Sequence, residues 1–310
     1  MANATNLHVV RTPARPGPGP MPDGVLRALD LSIVRRVSGL LAGDYRSSML
    51  GTGTEFAQLR AYEPGDDVRM IDWNVTARTQ IPHVRVQIVD RVMTTWLMLD
   101  TSSSMNFGTA DRRKADVAEG VAIAVGHVAT RHGNALGLVS FGSGRPETLP
   151  PTQGRAGMLG LLVTVRRAEE ASGGSGSTVG EALQHMNLLG PRAKVIIVVS
   201  DFRGRMDWSA PMTELAGRNT VVAVEIRDPR EQELPDVGEL HLVDPESGRQ
   251  LRVDTSKRHL RERFAAAALA ERNAVAGAIT HTGARHVVLS TRGDWLRALA
   301  SFLAQKEGRR

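Results

Sequence analysis

The 310 residues are enough for one large domain or two smaller ones. Apolar residues are 41% and charged residues 23%, ordinary for a globular protein with a sizeable core. The net charge of +6 comes from 39 basic and 33 acidic residues interleaved along the chain, unlike the basic stripe of a nucleic-acid binder. With no cysteine, disulfides, thiolate catalysis and thiolate zinc sites are excluded.

In chain order, residues 1–24 read as a Pro/Gly-rich, disordered lead-in without the apolar core of a signal peptide. No apolar run approaches the roughly 20 residues that span a bilayer, so a cytoplasmic location is expected. Leu26, Leu29, Ile33, Val37 and Leu40 fall at helical spacing over 25–41. A polar, Gly-punctuated stretch from Gly43 to Arg91 follows. Within it Val84, Val86 and Ile88 alternate with Arg85 and Gln87, a strand pattern. Residues 25–92 therefore read as a helix plus a small, partly β module.

From Met93 the pattern becomes alternating strands and helices, and residues 93–310 read as one α/β domain. Strands are predicted over Thr94–Asp100, Ala135–Phe141, Lys194–Asp201, Thr220–Ile226 and His286–Ser290. A hairpin is predicted over Leu240–Val243 and Gln250–Val253. Helices are predicted over Arg112–His132, Gly157–Glu169, Val179–Leu189, Met206–Arg218, Lys257–Thr280 and Trp295–Lys306. This alternation implies a mostly parallel sheet covered by helices on both faces.

Two strongly apolar strands end in an aspartate, Asp100 and Asp201. Ligands of open parallel sheets sit at the carboxyl ends of the strands, so both acids are expected on one solvent-facing rim. Ser102 and Ser104 follow Asp100 at a spacing of two. The loop Gly173–Thr178 supplies further hydroxyls, Ser177 and Thr178. Carboxylates and hydroxyls are hard oxygen ligands. They suit a divalent cation, Mg²⁺ first, with Mn²⁺ or Ca²⁺ as alternatives. Two carboxylates leave open, polarising coordination on such an ion, which then favours a carboxylate supplied by a partner.

Asp100-x-Ser102-x-Ser104, the later hydroxyl loop and Asp201 together resemble the metal ion-dependent adhesion site of von Willebrand A domains. In that family the middle loop usually carries Thr in Gly-Thr-x-x-Gly-x-Ala-Leu. Here the run is Gly176-Ser177-Thr178-Val179-Gly180-Glu181-Ala182-Leu183. Spacing selects Ser177 and residue type selects Thr178, so both stand. Upstream, Gly51-x-Gly53-x-Glu55-Phe56, Arg60-x-Tyr62-x-Pro64-Gly65-Asp66-Asp67-x-Arg69, Ile71-Asp72-Trp73 and Ala77-Arg78 resemble the signature of the bacterial family called domain of unknown function 58. That resemblance implies a partner of MoxR-type AAA+ ATPases, an adaptor with a chaperone-like role in assembling or maturing other proteins. It makes Arg60, Tyr62, Asp66, Asp67, Arg69, Asp72, Trp73 and Arg78 candidates for partner docking. Internal pairing of those charges, with Trp73 packed beneath, explains them equally well.

The competing function is a Mg²⁺-dependent phosphatase-like hydrolase with Asp100 as nucleophile. Such enzymes usually place a second acid two residues on, where this chain has Ser102, and no lysine marks a supporting strand end. The run Arg112-Arg113-Lys114 reads as a solvated basic face. A non-enzymatic protein-binding adaptor is therefore expected.

Overall fold

The structure is a computed structural model that describes residues 17–20, 55–88, 94–131, 134–154, 157, 159–160, 163–164, 176–190, 195–243 and 250–304. Outside the described residues lie most of the 1–24 lead-in, the helix expected over 25–41, the signature up to residue 54, most of helix 157–169, and residues 173–175. The chain divides into two compact units, residues 34–92 and the remainder.

In the smaller unit, β1 (Glu55–Ala61) pairs antiparallel with β2 (His83–Ile88). The connection between them is built on caps. Asp67 accepts from the Arg69 amide and opens a single 3₁₀ turn, Val68–Met70. Asp72 accepts from the amides of Asn74 and Val75 and opens α1 (Trp73–Thr79). These carboxylates satisfy donors that a helix start leaves bare. Gln80, at φ 58°, ends α1 in the left-handed conformation.

The larger unit holds a six-stranded sheet. Its strands are β3 (Thr94–Asp100), β4 (Ala135–Phe141), β5 (Glu147–Gln153), β6 (Val195–Ser200), β7 (Thr220–Arg227) and β10 (Arg285–Ser290). They lie in the order β10-β7-β6-β3-β4-β5, all parallel except β5. The helices are α2 (Lys114–Arg131), α3 (Val179–Leu189), α4 (Ser209–Ala216), α5 (Arg258–His281) and α6 (Trp295–Ala304). A separate hairpin joins β8 (Glu239–Val243) and β9 (Gln250–Asp254).

Side-chain alternation along the strands creates two cores. Leu97 and Leu99 of β3, Ile197 and Val199 of β6, and Val222 and Val224 of β7 pack with Val117 and Val121 of α2 and Leu299 of α6. Trp96 and Met98, Ile196 and Val198, and Val221 and Ala223 point the other way. They meet Leu183 of α3, Met212 of α4 and Ile279 of α5. Helices therefore cover both faces, which is the mostly parallel α/β architecture expected. Strands of near-continuous Val, Ile and Leu are what a sheet buried on both faces requires.

The strand β5, which carries Pro150 and Pro151, is not among the predicted strands. Proline donates no ladder hydrogen bond, yet β5 is the edge of the sheet, where one side of a strand needs no partner. Its register against β4 shifts between Leu136 and Leu138. Pro18 also packs on this unit: its carbonyl accepts from Trp295 Nε1 at 3.0 Å.

Candidate functional site

Because β3 and β6 are parallel neighbours, with Leu99 opposite Val199, their carboxyl ends bring Asp100 and Asp201 to one rim. Asp100 Oδ1 accepts from the Ser102 amide at 2.9 Å, and Oδ2 accepts from the Ser200 hydroxyl at 2.6 Å. The chain then enters a 3₁₀ turn, Ser103–Asn106, which folds Ser104 back over the strand end. Ser102 Oγ lies 3.1 Å from Ser104 Oγ, and Ser104 Oγ donates to Asp201 Oδ2 at 2.9 Å. Four of the predicted residues thus form one connected set of oxygens. The rim is less open than expected: Asp100 and Asp201 are each only 6% exposed, because the turn after β3 roofs both carboxylates.

The middle loop separates its two candidates. Ser177 Oγ accepts from the Gly142 amide at 3.1 Å, and the Ser177 amide donates to the Gly144 carbonyl at 2.9 Å. Gly142 has φ +101°, and a Cβ there would stand 2.8 Å from Asp100 Oδ1 and 2.5 Å from the Ser102 amide nitrogen. At Gly176 a Cβ would collide with the Gly142 carbonyl at 1.7 Å. These two glycines let the Ser177 loop close on the backbone that touches Asp100. Thr178 is used otherwise. Its hydroxyl caps α3, accepting from the Glu181 amide at 3.1 Å, and donates to Asp207 at 3.0 Å. Thr178→Ala is expected to cost about 1 kcal/mol in urea unfolding, typical of a lost cap, and to leave ion affinity unchanged. Calorimetry showing lost ion binding at undiminished stability would reverse this assignment.

The structure adds two residues absent from the sequence-based site. Lys114, the first residue of α2, is fully buried. Its Nζ donates to Asp201 Oδ2 at 2.6 Å and to Glu231 Oε1 at 2.7 Å. The reading of Arg112-Arg113-Lys114 as a solvated face is thereby corrected. Arg112 is also buried, and Arg113 pairs with Asp116 at 2.9 Å. No periodicity separates a surface lysine from this one. It is inside because the end of α2 closest to β3 lies against the rim, where the carboxylates compensate its charge. The supporting lysine missing from the strand ends is supplied by a helix start.

Glu231 closes a 3₁₀ turn, Pro229–Glu231, capped by Asp228. Its Oε1 also accepts from Arg203 at 3.0 Å, and its Oε2 from the Asp228 amide at 3.0 Å. The Arg203 amide donates to Asp201 Oδ1 at 3.1 Å.

The electrostatics differ between the two acids. Burial first, and then the charge of Asp201, push the Asp100 carboxyl up to about 6, against the hydrogen bonds from Ser200 and Ser102. Burial acts in the same upward sense on Asp201, but the Lys114 ammonium, together with the bonds from the Arg203 amide and the Ser104 hydroxyl, outweighs it and holds that carboxyl below the usual range. Among the described residues, Asp100 is therefore the rim carboxylate without a cation of its own. A divalent ion beside it would supply the missing charge, and the neighbouring hydroxyls are ligands of the right chemistry. Among the described residues, no three His, Cys, Asp or Glu side chains gather as a metal-ligand cluster. An ion here would depend on Ser102, Ser104 and Ser177 as well as the two aspartates.

The docking candidates of the smaller unit divide into two groups. Arg60 grips Asp66 through both guanidinium nitrogens, at 2.7 and 2.6 Å, and these bonds hold the Asp66 carboxyl below its ordinary range. Asp67 and Asp72 serve as caps, and Tyr62 is half-buried. Arg69, Trp73 and Arg78 are exposed within their unit, Trp73 by 70%. An ion pair with Arg60 accounts for Asp66, and capping of backbone amides accounts for Asp67 and Asp72. Trp73 does not pack beneath them.

The sheet and its rim define a class: a doubly wound α/β protein with an oxygen-rich acidic site at the carboxyl ends of its central strands. The family model described as "Protein of unknown function DUF58" matches residues 58–274, and the chain belongs to that family. An uncharacterized protein of Mycobacterium tuberculosis and one of Mycobacterium bovis are each 38% identical over 283 residues, covering 91% of this chain and 88% of theirs. Similar solved structures include the conserved hypothetical protein BatB from Bacteroides thetaiotaomicron. It is 16% identical, with a TM-score of 0.45, over 68% of this chain and 97% of that one. Another is a von Willebrand factor type A structure from Catenulispora acidiphila, 15% identical, TM-score 0.39, over 70% and 43%. Among the described residues no helix is long and apolar enough to cross a membrane.

Proposed function

We propose that this protein is a non-enzymatic, metal-dependent protein-binding adaptor. The observation that carries the reading is the continuous oxygen set of Ser102, Ser104 and Asp201 beside an Asp100 carboxyl that, among the described residues, has no cation of its own. Asp100, Ser102, Ser104, Ser177 and Asp201 would hold the ion, with Mg²⁺ favoured by hard, mostly neutral ligands and Mn²⁺ or Ca²⁺ as alternatives. When bound, the ion would supply a Lewis-acidic position for one further carboxylate, which a Glu or Asp of a partner would fill. Following the family resemblance, the partner is a MoxR-type AAA+ ATPase or a client protein it helps to mature.

The hydrolase alternative gains a buried lysine from the structure but loses its general acid, since the position two after Asp100 is Ser102. Lys114 is occupied by two carboxylates, and Asp100 by Ser200 and Ser102, so neither is poised toward an incoming phosphate.

The test is capture of the candidate ATPase by the full chain with Mg²⁺ and with chelator. Binding is expected only with the ion, and is expected to disappear when the acids on the partner's contact surface become amides. Undiminished capture by that partner variant would end the adaptor reading in this form.

A further inference from the structure

We propose that Lys114 is a built-in competitor of the ion, setting how tightly the rim can hold a divalent cation. The inference rests on the reading of the rim as a metal site. A fully buried ammonium must be compensated by carboxylates, and Lys114 takes one oxygen from each of two, Asp201 and Glu231. The oxygen it takes on Asp201 is Oδ2, the same atom that receives the Ser104 hydroxyl. Ser104 is the residue that links Asp201 to Ser102 and so to the Asp100 side of the rim. An ion approaching through those hydroxyls meets an oxygen already neutralised by a fixed positive charge.

The rest of the arrangement holds the ammonium in place. Glu231 is fixed by Arg203 on one oxygen and by the Asp228 amide on the other, and the Phe107 ring lies 6.0 Å from Nζ. Arg203 divides its guanidinium between Glu231 and Glu271, so Lys114 is the cation that neutralises Asp201 directly. With Asp201 neutralised, Asp100 alone of the two rim aspartates is left to balance an ion of charge two. Such a site folds without metal and holds the ion weakly until a partner's carboxylate supplies the missing negative charge. Lys114 thereby makes ion capture depend on the partner.

The experiment is Mg²⁺ titration calorimetry on the full chain, with thermal unfolding at low and high Mg²⁺, for wild type and three variants. Lys114→Met removes the competitor and is expected to bind Mg²⁺ at least about tenfold tighter, with a larger Mg²⁺-induced rise in Tm. Glu231→Gln leaves Lys114 to Asp201 alone and is expected to bind at least about threefold weaker. Arg203→Met removes a cation whose guanidinium pairs with Glu231 and Glu271 and makes no bond to Asp201, and is expected to change affinity by less than about twofold.

If Lys114→Met binds no tighter than wild type while wild-type binding still requires Asp100, the rim is a metal site and the competitor idea is wrong. Equal tightening in Lys114→Met and Arg203→Met reduces the effect to general charge and overturns it too. Should Lys114→Met fail to fold, Glu231→Gln decides, and unchanged or tighter binding there overturns the proposal. Absence of Mg²⁺ binding in wild type and every variant overturns the metal reading itself, and the inference with it.

Discussion

Asp100→Ala is expected to abolish divalent-ion binding while the α/β fold persists. The substitution removes the carboxylate at the end of β3 that, among the described residues, has no ammonium or guanidinium beside it, and so the ligand with most to gain from an ion. The fold should survive despite the burial of Asp100. What the native state loses is two hydrogen bonds, from the Ser102 amide and the Ser200 hydroxyl, about 1–3 kcal/mol in sum. Relief of the repulsion from Asp201 offsets part of that cost. Side-by-side calorimetry and circular dichroism check both halves of the statement. Retained ion binding would remove Asp100 from the site, and a global loss of secondary structure would show that it is structural.

The pH dependence of the same residue carries a definite sign. An unfolded aspartate titrates near ~4, whereas folding pushes Asp100 up to about 6. Between those values the native state holds the proton and the unfolded chain does not. The contribution of Asp100 to stability therefore falls as pH rises from about 4 to about 6. Asp100→Ala should remove this downward slope in urea-unfolding free energies. In wild type, saturating Mg²⁺ should oppose it, because the ion stabilises the ionised carboxylate.

Asp228→Ala is expected to be the more damaging substitution, at about 3–5 kcal/mol of folding stability. Asp228 is fully buried just past the end of β7. Its carboxylate ties three segments together: Thr109 through amide (2.8 Å) and hydroxyl (2.6 Å), Thr291 through its hydroxyl (2.7 Å), and the Arg230 amide (2.9 Å). Alanine leaves the buried Thr291 hydroxyl and the part-buried Thr109 and Arg230 donors without this acceptor, and uncaps the 3₁₀ turn that presents Glu231 to Lys114. Burial works to raise this carboxyl, but the bonds from Thr109, Thr291 and Arg230 outweigh it and the net shift is downward. Its stabilisation is present above the unfolded value near ~4 and is lost as pH falls below it, opposite in sign to Asp100. Asp228→Asn should accordingly flatten the acid side of the stability profile. A loss below about 1 kcal/mol for Asp228→Ala would show that the clasp contributes little.

Much of the architecture was readable from local pattern. Runs such as Thr94–Asp100 and Val195–Ser200 are too apolar for a half-exposed strand and too short for a membrane span. Their alternation with helices leaves a parallel, doubly covered sheet as the economical arrangement. The strand β5 was hidden because its prolines are tolerated only at an edge, and being an edge is a property of the assembled sheet. In the smaller unit, Asp67 and Asp72 read as docking groups or as members of internal charge pairs, whereas backbone geometry makes both of them caps.

The sequence by itself determined that Asp100 and Asp201 share a rim, because parallel strands deliver their carboxyl ends to one side of a sheet. It determined the hydroxyl chemistry of that rim through the spacing of Ser102 and Ser104. Tertiary structure alone decided that Thr178 caps α3 while Ser177 closes on the backbone beside Asp100. It also decided that Lys114 and Glu231 belong to the site. Spacing along the chain sets which side chains share a face of an element. Which charges are taken out of water together depends on how α2 and the turn after β7 pack on the sheet, and buried charges stay only where they find each other.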